Sequence, residues 1–242
     1  MKPSLFYVSL ILFINISGLA SAAEVVVKDS TGEKVLNGVP YHIRPLSAAK
    51  GGGFKLTGTM DNKKICPFNV VQEPSASNLG EKFSFTLINE DRPRYLLTSY
   101  VLGIHSGDLK GPCQKSTFWT IPDAEAKAPK NLVTTGGRFE DDITCFLVVE
   151  YPKPTSKKVH TYMLQHCPLR CFLLRQQMIK NVTSKTLAQE RGHNTIGIQH
   201  YRPNGGDPDI CYNVSIYVDK GVRRLASKGT DPLELVFHKA TK

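Results

Sequence analysis

Val27-Lys28-Asp29-Ser30-Thr31-Gly32-Glu33-Lys34-Val35, continued by Tyr41-His42-Ile43, is the stretch on which the reading of the fold turns. Aliphatic ends flank an Asp and a Gly, the pattern of strand, tight turn, strand. The Asp29 carboxylate can bond back into the turn, and Gly32 supplies backbone freedom there. Tyr41 and Ile43 then alternate with polar neighbours, as in a strand with one buried and one wet face.

The same texture runs outward from this hairpin. Short runs rich in Val, Ile, Phe, Tyr and Thr recur between Gly, Pro, Asn and Asp. They fall at Glu24–Lys28, Tyr41–Arg44, Phe54–Thr59, Phe83–Ile88, Arg94–Ile104 (one strand or two), Thr117–Ile121, Asn131–Thr134, Thr144–Tyr151, His160–Gln165, Tyr212–Val218 and Leu233–His238. Strands at this spacing predict an all-β sandwich or barrel. One segment breaks the rhythm. Phe172 to Glu190 reads either as a short amphipathic helix or as an irregular loop, and Arg191 to Asp209 is polar. The whole of 172–210 is read as a surface insertion, because long loops belong on the outside.

The chain of 242 residues opens on a targeting segment: Lys2, an apolar stretch from Leu5 to Ile16, and small residues at Ala20-Ser21-Ala22. This predicts a signal peptide over 1–22 and a mature domain over 23–242. The apolar stretch is too short to cross a bilayer, and no membrane contact is expected. The product is expected to be secreted, either extracellular or delivered to a vacuole or cell wall through the secretory pathway. All six cysteines (Cys66, Cys113, Cys145, Cys167, Cys171, Cys211) lie in the mature part, and an even count in a secreted chain reads as disulfides. A lone CxxxC at Cys167 and Cys171 is a weak zinc signal, so no metal and no cofactor are expected. The net charge of +10 is spread without any Lys/Arg run longer than two, which reads as a solvated basic surface rather than a nucleic-acid footprint.

Enzymatic readings find no support in the residues. None of the seven histidines forms an HExxH pair or sits near a nucleophile elbow. Glu140-Asp141-Asp142 reads as a wet turn. Gly51-Gly52-Gly53 lacks the following Gly-Lys-Ser/Thr of a phosphate loop.

The opening hairpin also matches the signature of the Kunitz soybean trypsin inhibitor family, miraculin-like relatives included. Further blocks agree in order. These are Gly51-Gly52-Gly53, Cys66-Pro67-Phe68 with Val70-Val71-Gln72, Cys113 and Ser116 before Trp119, and Thr134-Thr135-Gly136-Gly137. They continue with Tyr162 before Cys167-Pro168, then Ile216-Tyr217-Val218-Asp219, Gly221, Arg223-Arg224-Leu225-Ala226 and Val236-Phe237-His238-Lys239-Ala240. The resemblance spans 25–171 and 211–240. It implies a disulfide-bonded β-trefoil: twelve short strands, a six-stranded barrel capped by three hairpins. It also implies a Cys66–Cys113 bridge. Cys167 and Cys211 match the two ends of the second family bridge, although 43 residues separate them here, so Cys167 pairs with Cys171 or Cys211. Cys145 stands outside that pattern, as a partner for Cys171 or as a buried thiol.

The function implied by the resemblance is inhibition rather than catalysis. A rigid reactive loop, about 88–95, would enter a serine protease as a substrate does, with a cysteine protease as the alternative target. The matched tip is Asn89-Glu90-Asp91-Arg92-Pro93-Arg94, with Glu90 where a trypsin inhibitor carries Arg or Lys. A carboxylate there is repelled by an anionic pocket. Arg92 precedes Pro93, a poor substrate bond, and Arg94 precedes Tyr95. Asn37 matches the asparagine that props the loop from within, and its position in Leu36-Asn37-Gly38 also reads as a plain turn. The Glu90 departure keeps a rival open: a non-inhibitory trefoil that binds a carbohydrate, a receptor or another protein, or serves for storage. A monomer is expected. Sequons at Asn181 and Asn213 are glycosylation candidates, Asn181 in the insertion and Asn213 at the start of a strand.

Overall fold

The computed structural model describes residues 25–58, 66–88, 93–98, 100–106, 116–124, 131–139, 141–173, 211–227 and 231–241. Its strands are β1 (Pro40–Pro45), β2 (Phe54–Gly58), β3 (Phe68–Gln72), β4 (Phe83–Leu87), β5 (Leu102–His105), β6 (Phe118–Thr120) and β7 (Thr134–Gly137). They continue with β8 (Phe146–Glu150), β9 (Tyr162–His166), β10 (Tyr212–Asn213), β11 (Ser215–Asp219), β12 (Val222–Ala226) and β13 (Leu235–Lys239). Only Val214 separates β10 from β11, and its N–H donates to the Leu164 carbonyl at 2.9 Å. With those two counted as one, the described residues form twelve runs.

In several runs alternation in the sequence decides which face is buried. Tyr41 and Ile43 of β1, Phe83, Phe85 and Leu87 of β4, and Tyr162 and Leu164 of β9 all point into one core. Burying a large apolar side chain fully is worth roughly 1.5–3 kcal/mol, so several strands with two or three such residues each have strong reason to close on one another. The closure is complete. β1 pairs with β4, β4 with β5, β5 with β8, β8 with β9, β9 with β13, and β13 with β1, every pair antiparallel. This six-stranded circuit leaves no barrel strand with a free edge.

The remaining strands form three hairpins: β2–β3, β6–β7 and β11–β12. They meet one another through Asn69 against Thr134, Val71 against Arg224, and Leu132 against Ala226. Trp119 of β6 lies fully buried where cap and barrel meet, with edge-to-face contacts to Phe54, Phe83 and Phe146. A barrel with a three-hairpin lid is the β-trefoil arrangement.

The glycine run has a packing role. A Cβ at Gly52 would stand 2.2 Å from the Ser75 carbonyl oxygen, and one at Gly53 would stand 1.8 Å from that of Leu79. The segment after β3 therefore lies directly on the glycine backbone, and no phosphate cradle is involved.

Two expectations need correction. The stretch Arg94–Ile104 is not continuous strand: only Leu102–His105 is regular, while Tyr95 and Leu97 make isolated bridges to Leu36 and Val26. The first expected strand survives only as bridges at Val26 and Lys28. The segment from Phe172, expected as a short helix or a loop, begins inside a helical stretch over 168–173; its remainder, residues 174–210, lies outside the described residues. Among the described residues, no helix is long and apolar enough to cross a membrane.

Candidate functional site

The chain leaves the barrel at the end of β4 and returns at the start of β5, making the connection 88–101. Residues 89–92 and 99 lie outside the described residues, and with them Asn89, Glu90, Asp91 and Arg92. Both arms of the connection are described. At its neck the Ile88 N–H donates to the Val101 carbonyl at 3.1 Å.

The downstream arm runs along the N-terminal segment. The Leu96 N–H donates to the Val35 carbonyl at 2.8 Å, the Val27 N–H donates to the Leu96 carbonyl at 2.9 Å, and the Thr98 N–H donates to the Val25 carbonyl at 2.8 Å. The Val25 N–H donates in turn to the Thr98 hydroxyl at 3.0 Å. Leu96 is fully buried, and the Lys34 ammonium sits 4.6 Å from the centre of the Tyr95 ring. Pro93 is half-buried and Arg94 exposed.

The N-terminal segment is itself fixed by its turn. One Asp29 carboxylate oxygen accepts from the Thr31 N–H at 2.9 Å, the Thr31 hydroxyl at 2.7 Å and the Glu33 N–H at 3.1 Å. Gly32 takes φ +87°, where a side chain would be strained. The Ser30 N–H donates to the Phe237 carbonyl at 2.8 Å, which joins the turn to the barrel.

Asn37 stands between the two arms. Its backbone N–H donates to the Arg94 carbonyl at 2.9 Å, and its side-chain oxygen accepts from the Leu87 N–H at 3.3 Å. Gly38, at φ +75°, completes the turn and donates its N–H to the Phe85 carbonyl at 2.8 Å. One residue thus touches the chain on its way out and on its way back. The Arg94 carbonyl is occupied by this bond, and Tyr95 is already bridged to Leu36.

Two disulfides close beneath the neck. Cys167 pairs with Cys211, Cα–Cα 4.4 Å, and Cys145 pairs with Cys171, Cα–Cα 6.0 Å, both separations within the range that bridges adopt. The alternatives that paired Cys167 with Cys171, or left Cys145 a thiol, are therefore overturned. Cys66 is also oxidised, and its expected partner Cys113 lies outside the described residues.

The other candidates separate from the loop. Asn213 lies half-buried in β10, where its side-chain oxygen accepts from the Gln165 amide at 2.9 Å; Asn181 lies outside the described residues. Asp141 caps a local turn by accepting from the Arg138 N–H at 3.2 Å, and Glu140 lies outside the described residues. Among the described residues, no group of three His, Cys, Asp or Glu is placed to hold a metal. His166 is deeply buried at the end of β9, with its Nε2 3.0 Å from the Ile143 carbonyl, and desolvation pushes its pKa down to about 4. Desolvation also lowers the pKa of His105 in β5. The sequence reading did not single out Val35, Leu36 and Leu96 as the track of the downstream arm. The only available signal was the aliphatic residue closing the opening hairpin.

The closed barrel, its three-hairpin lid and the braced connection from β4 to β5 define a disulfide-bonded β-trefoil with a scaffolded loop. Comparison with known proteins carries this further. The Kunitz legume family, described as trypsin and protease inhibitor, matches residues 27–203, and the chain belongs to that family. It is a family of inhibitors, not enzymes. A Kunitz-type trypsin inhibitor of Glycine max is 26% identical over 244 residues, covering 99% of this chain and 97% of the relative. Miraculin of Synsepalum dulcificum is 32% identical over 142 residues, covering 55% of this chain and 63% of the relative. Among solved structures, soybean trypsin inhibitor in complex with porcine pancreatic trypsin matches with TM-score 0.60 and 18% identity, over 90% of this chain and 100% of that one.

Proposed function

We propose that the protein inhibits a serine protease by presenting residues 88–95 to the protease cleft as a substrate-like loop. The observation that carries this reading is the double hold of Asn37, on Leu87 before the tip and on Arg94 after it. A loop fixed on both sides has little conformational freedom left to lose on binding, so more of the contact energy appears as affinity. The same double hold slows release after cleavage. A bond cut between the arms leaves two ends that stay anchored, one on β4 and one on the N-terminal segment, in position to rejoin.

The reactive bond falls within residues 89–93. The Arg94 carbonyl is already bonded to Asn37 and is not free to enter an oxyanion hole. Within that window Glu90 takes the matched specificity position, and its carboxylate suits a protease whose pocket is not anionic. Asn37 serves as loop support. The oxidised cysteines fit a secretory route, in keeping with a signal peptide over 1–22 and a domain over 23–242 that carries its insertion at 172–210. Cys66–Cys113 is the third bridge. Asn181 and Asn213 are the glycosylation candidates, and the Asn213 side chain is engaged with Gln165.

Titration of trypsin, chymotrypsin, subtilisin and papain with the folded protein and with Glu90→Arg tests the proposal. Stoichiometric inhibition of a serine protease by the native protein is the expected result. Inactivity that Glu90→Arg converts into trypsin inhibition also supports the scaffold and assigns Glu90 the specificity role. Inhibition of papain alone selects the cysteine-protease alternative. Inactivity of both forms overturns the proposal in favour of a non-inhibitory binding trefoil, the reading that Glu90 itself motivates.

A further inference from the structure

Apart from the barrel core, a second buried cluster forms from Ile88, Val101, Cys145, Leu147, Cys167 and Cys171. Its composition is unusual for its place. Ile88 and Val101 are the two residues at the loop neck, joined by the 3.1 Å bond already described. They pack on cystine rather than on the barrel interior. Val101, Cys145, Cys167 and Cys171 are all fully buried.

The two bridges in this cluster do different jobs. Cys167–Cys211 spans 44 positions and already closes the ends of the long segment between β9 and β10. Cys145–Cys171 spans 26 positions and adds no closure of that segment. It holds the helical stretch 168–173 down on the residue before β8. The Cys167 N–H donates to the Cys145 carbonyl at 3.0 Å, and the Cys171 N–H donates to the Cys167 carbonyl at 3.3 Å. Leu173, two residues on, is already exposed, so apolar packing does little to hold that stretch from its far side. Covalent attachment at Cys171 ties the helical stretch 168–173 to the cluster on which Ile88 and Val101 pack.

We infer that the Cys145–Cys171 disulfide is a positioning element of the inhibitory loop: it forms the floor on which Ile88 and Val101 rest and ties that floor to the helical stretch 168–173. The inference rests on the proposed inhibitory role of the loop. It adds a second brace to that of Asn37, at the Ile88–Val101 neck.

Removing any disulfide lowers global stability through the unfolded state, so the test must separate local from global loosening. Native-state amide exchange at increasing, sub-denaturing urea does so. In the variant Cys145→Ala/Cys171→Ala, the Ile88 amide is expected to lose at least about tenfold more protection than the amides of β1 and β13, by an opening insensitive to urea. Val101→Ala keeps both bridges closed and removes the other side of the seat; it is expected to loosen Ile88 in the same local way. This second variant decides the matter if the double variant does not fold. Where the native protein inhibits a protease, the double variant is also expected to be hydrolysed about tenfold faster in the complex, with association unchanged. Ile88 protection that falls only in step with the barrel amides overturns the inference. So does unchanged hydrolysis beside a loosened neck. A native protein that inhibits nothing removes the inhibitory reading, while exchange at Ile88 still decides whether the bridge holds the neck.

Discussion

Asn37 contributes to the loop through one backbone and one side-chain hydrogen bond, and only the second can be removed by substitution. Asn37→Ala leaves the N–H to Arg94 in place and takes the acceptor from Leu87. The expected cost in stability is about 1 kcal/mol, the net worth of an ordinary hydrogen bond. The effect on inhibition is expected to be larger than this suggests, with about tenfold faster hydrolysis of the loop, because the upstream arm alone is released. Urea unfolding and the rate of loop cleavage by the inhibited protease check the two halves separately; equal cleavage rates would deny Asn37 its support role. Residues like this are partly legible from sequence. Leu36-Asn37-Gly38 reads as a turn, and Gly38 does adopt φ +75°. The second partner, Leu87, lies fifty positions away and no local pattern points to it.

At the level of elements, β1 and β9 were legible because they alternate cleanly, one face on the core and the other partly exposed, while β5, β8 and β13 read as short runs whose first three residues are all buried. The hairpins of the lid were harder. In β3 the polar residues Asn69 and Gln72 are buried, which hides the strand behind an apparently irregular pattern. Gln72 is accommodated because its amide donates to the Lys50 and Gly52 carbonyls while its oxygen accepts from Arg223. In β12 the paired arginines mask the strand in the same way. Arg223 reaches Gln72, and Arg224 meets the Asp219 carboxylate at 3.2 Å. The segment 94–98 fails in the opposite sense. Its Tyr95, Leu96 and Leu97 look like strand, but they serve a loop arm that lies on the N-terminal segment through single bridges. The pairing of Cys145 with Cys171 was one of two open readings of the sequence. What it lies beneath depends on the return path from β9, which local spacing does not encode.

For the molecule as a whole, pH should act mainly through buried histidine. His166 is neutral in the folded protein, with its pKa lowered to about 4 by desolvation, against an ordinary 6.5 when unfolded. Below the unfolded value the unfolded chain takes up a proton that the folded chain refuses. Stability is therefore complete above about pH 6.5, falls as pH drops toward 4, and loses up to roughly 3 kcal/mol from this residue. Burial also lowers His105 and His238, which adds to the fall in the same direction. Urea unfolding across this range is expected to show the slope, and His166→Gln, which keeps a donor for Ile143 without a titrating ring, is expected to flatten most of it. A slope unchanged by His166→Gln would assign the acid sensitivity elsewhere. The barrel, the N-terminal turn and the disulfide cluster all converge on the connection from β4 to β5, the part proposed to enter a protease. The direct measurement is to incubate the folded protein with a catalytic amount of the protease it inhibits and map the bond that is cut. A single cleavage within residues 89–93 is expected, with both fragments retained in a folded, still inhibitory molecule. Cleavage at any other site, or digestion without an inhibited intermediate, would contradict it.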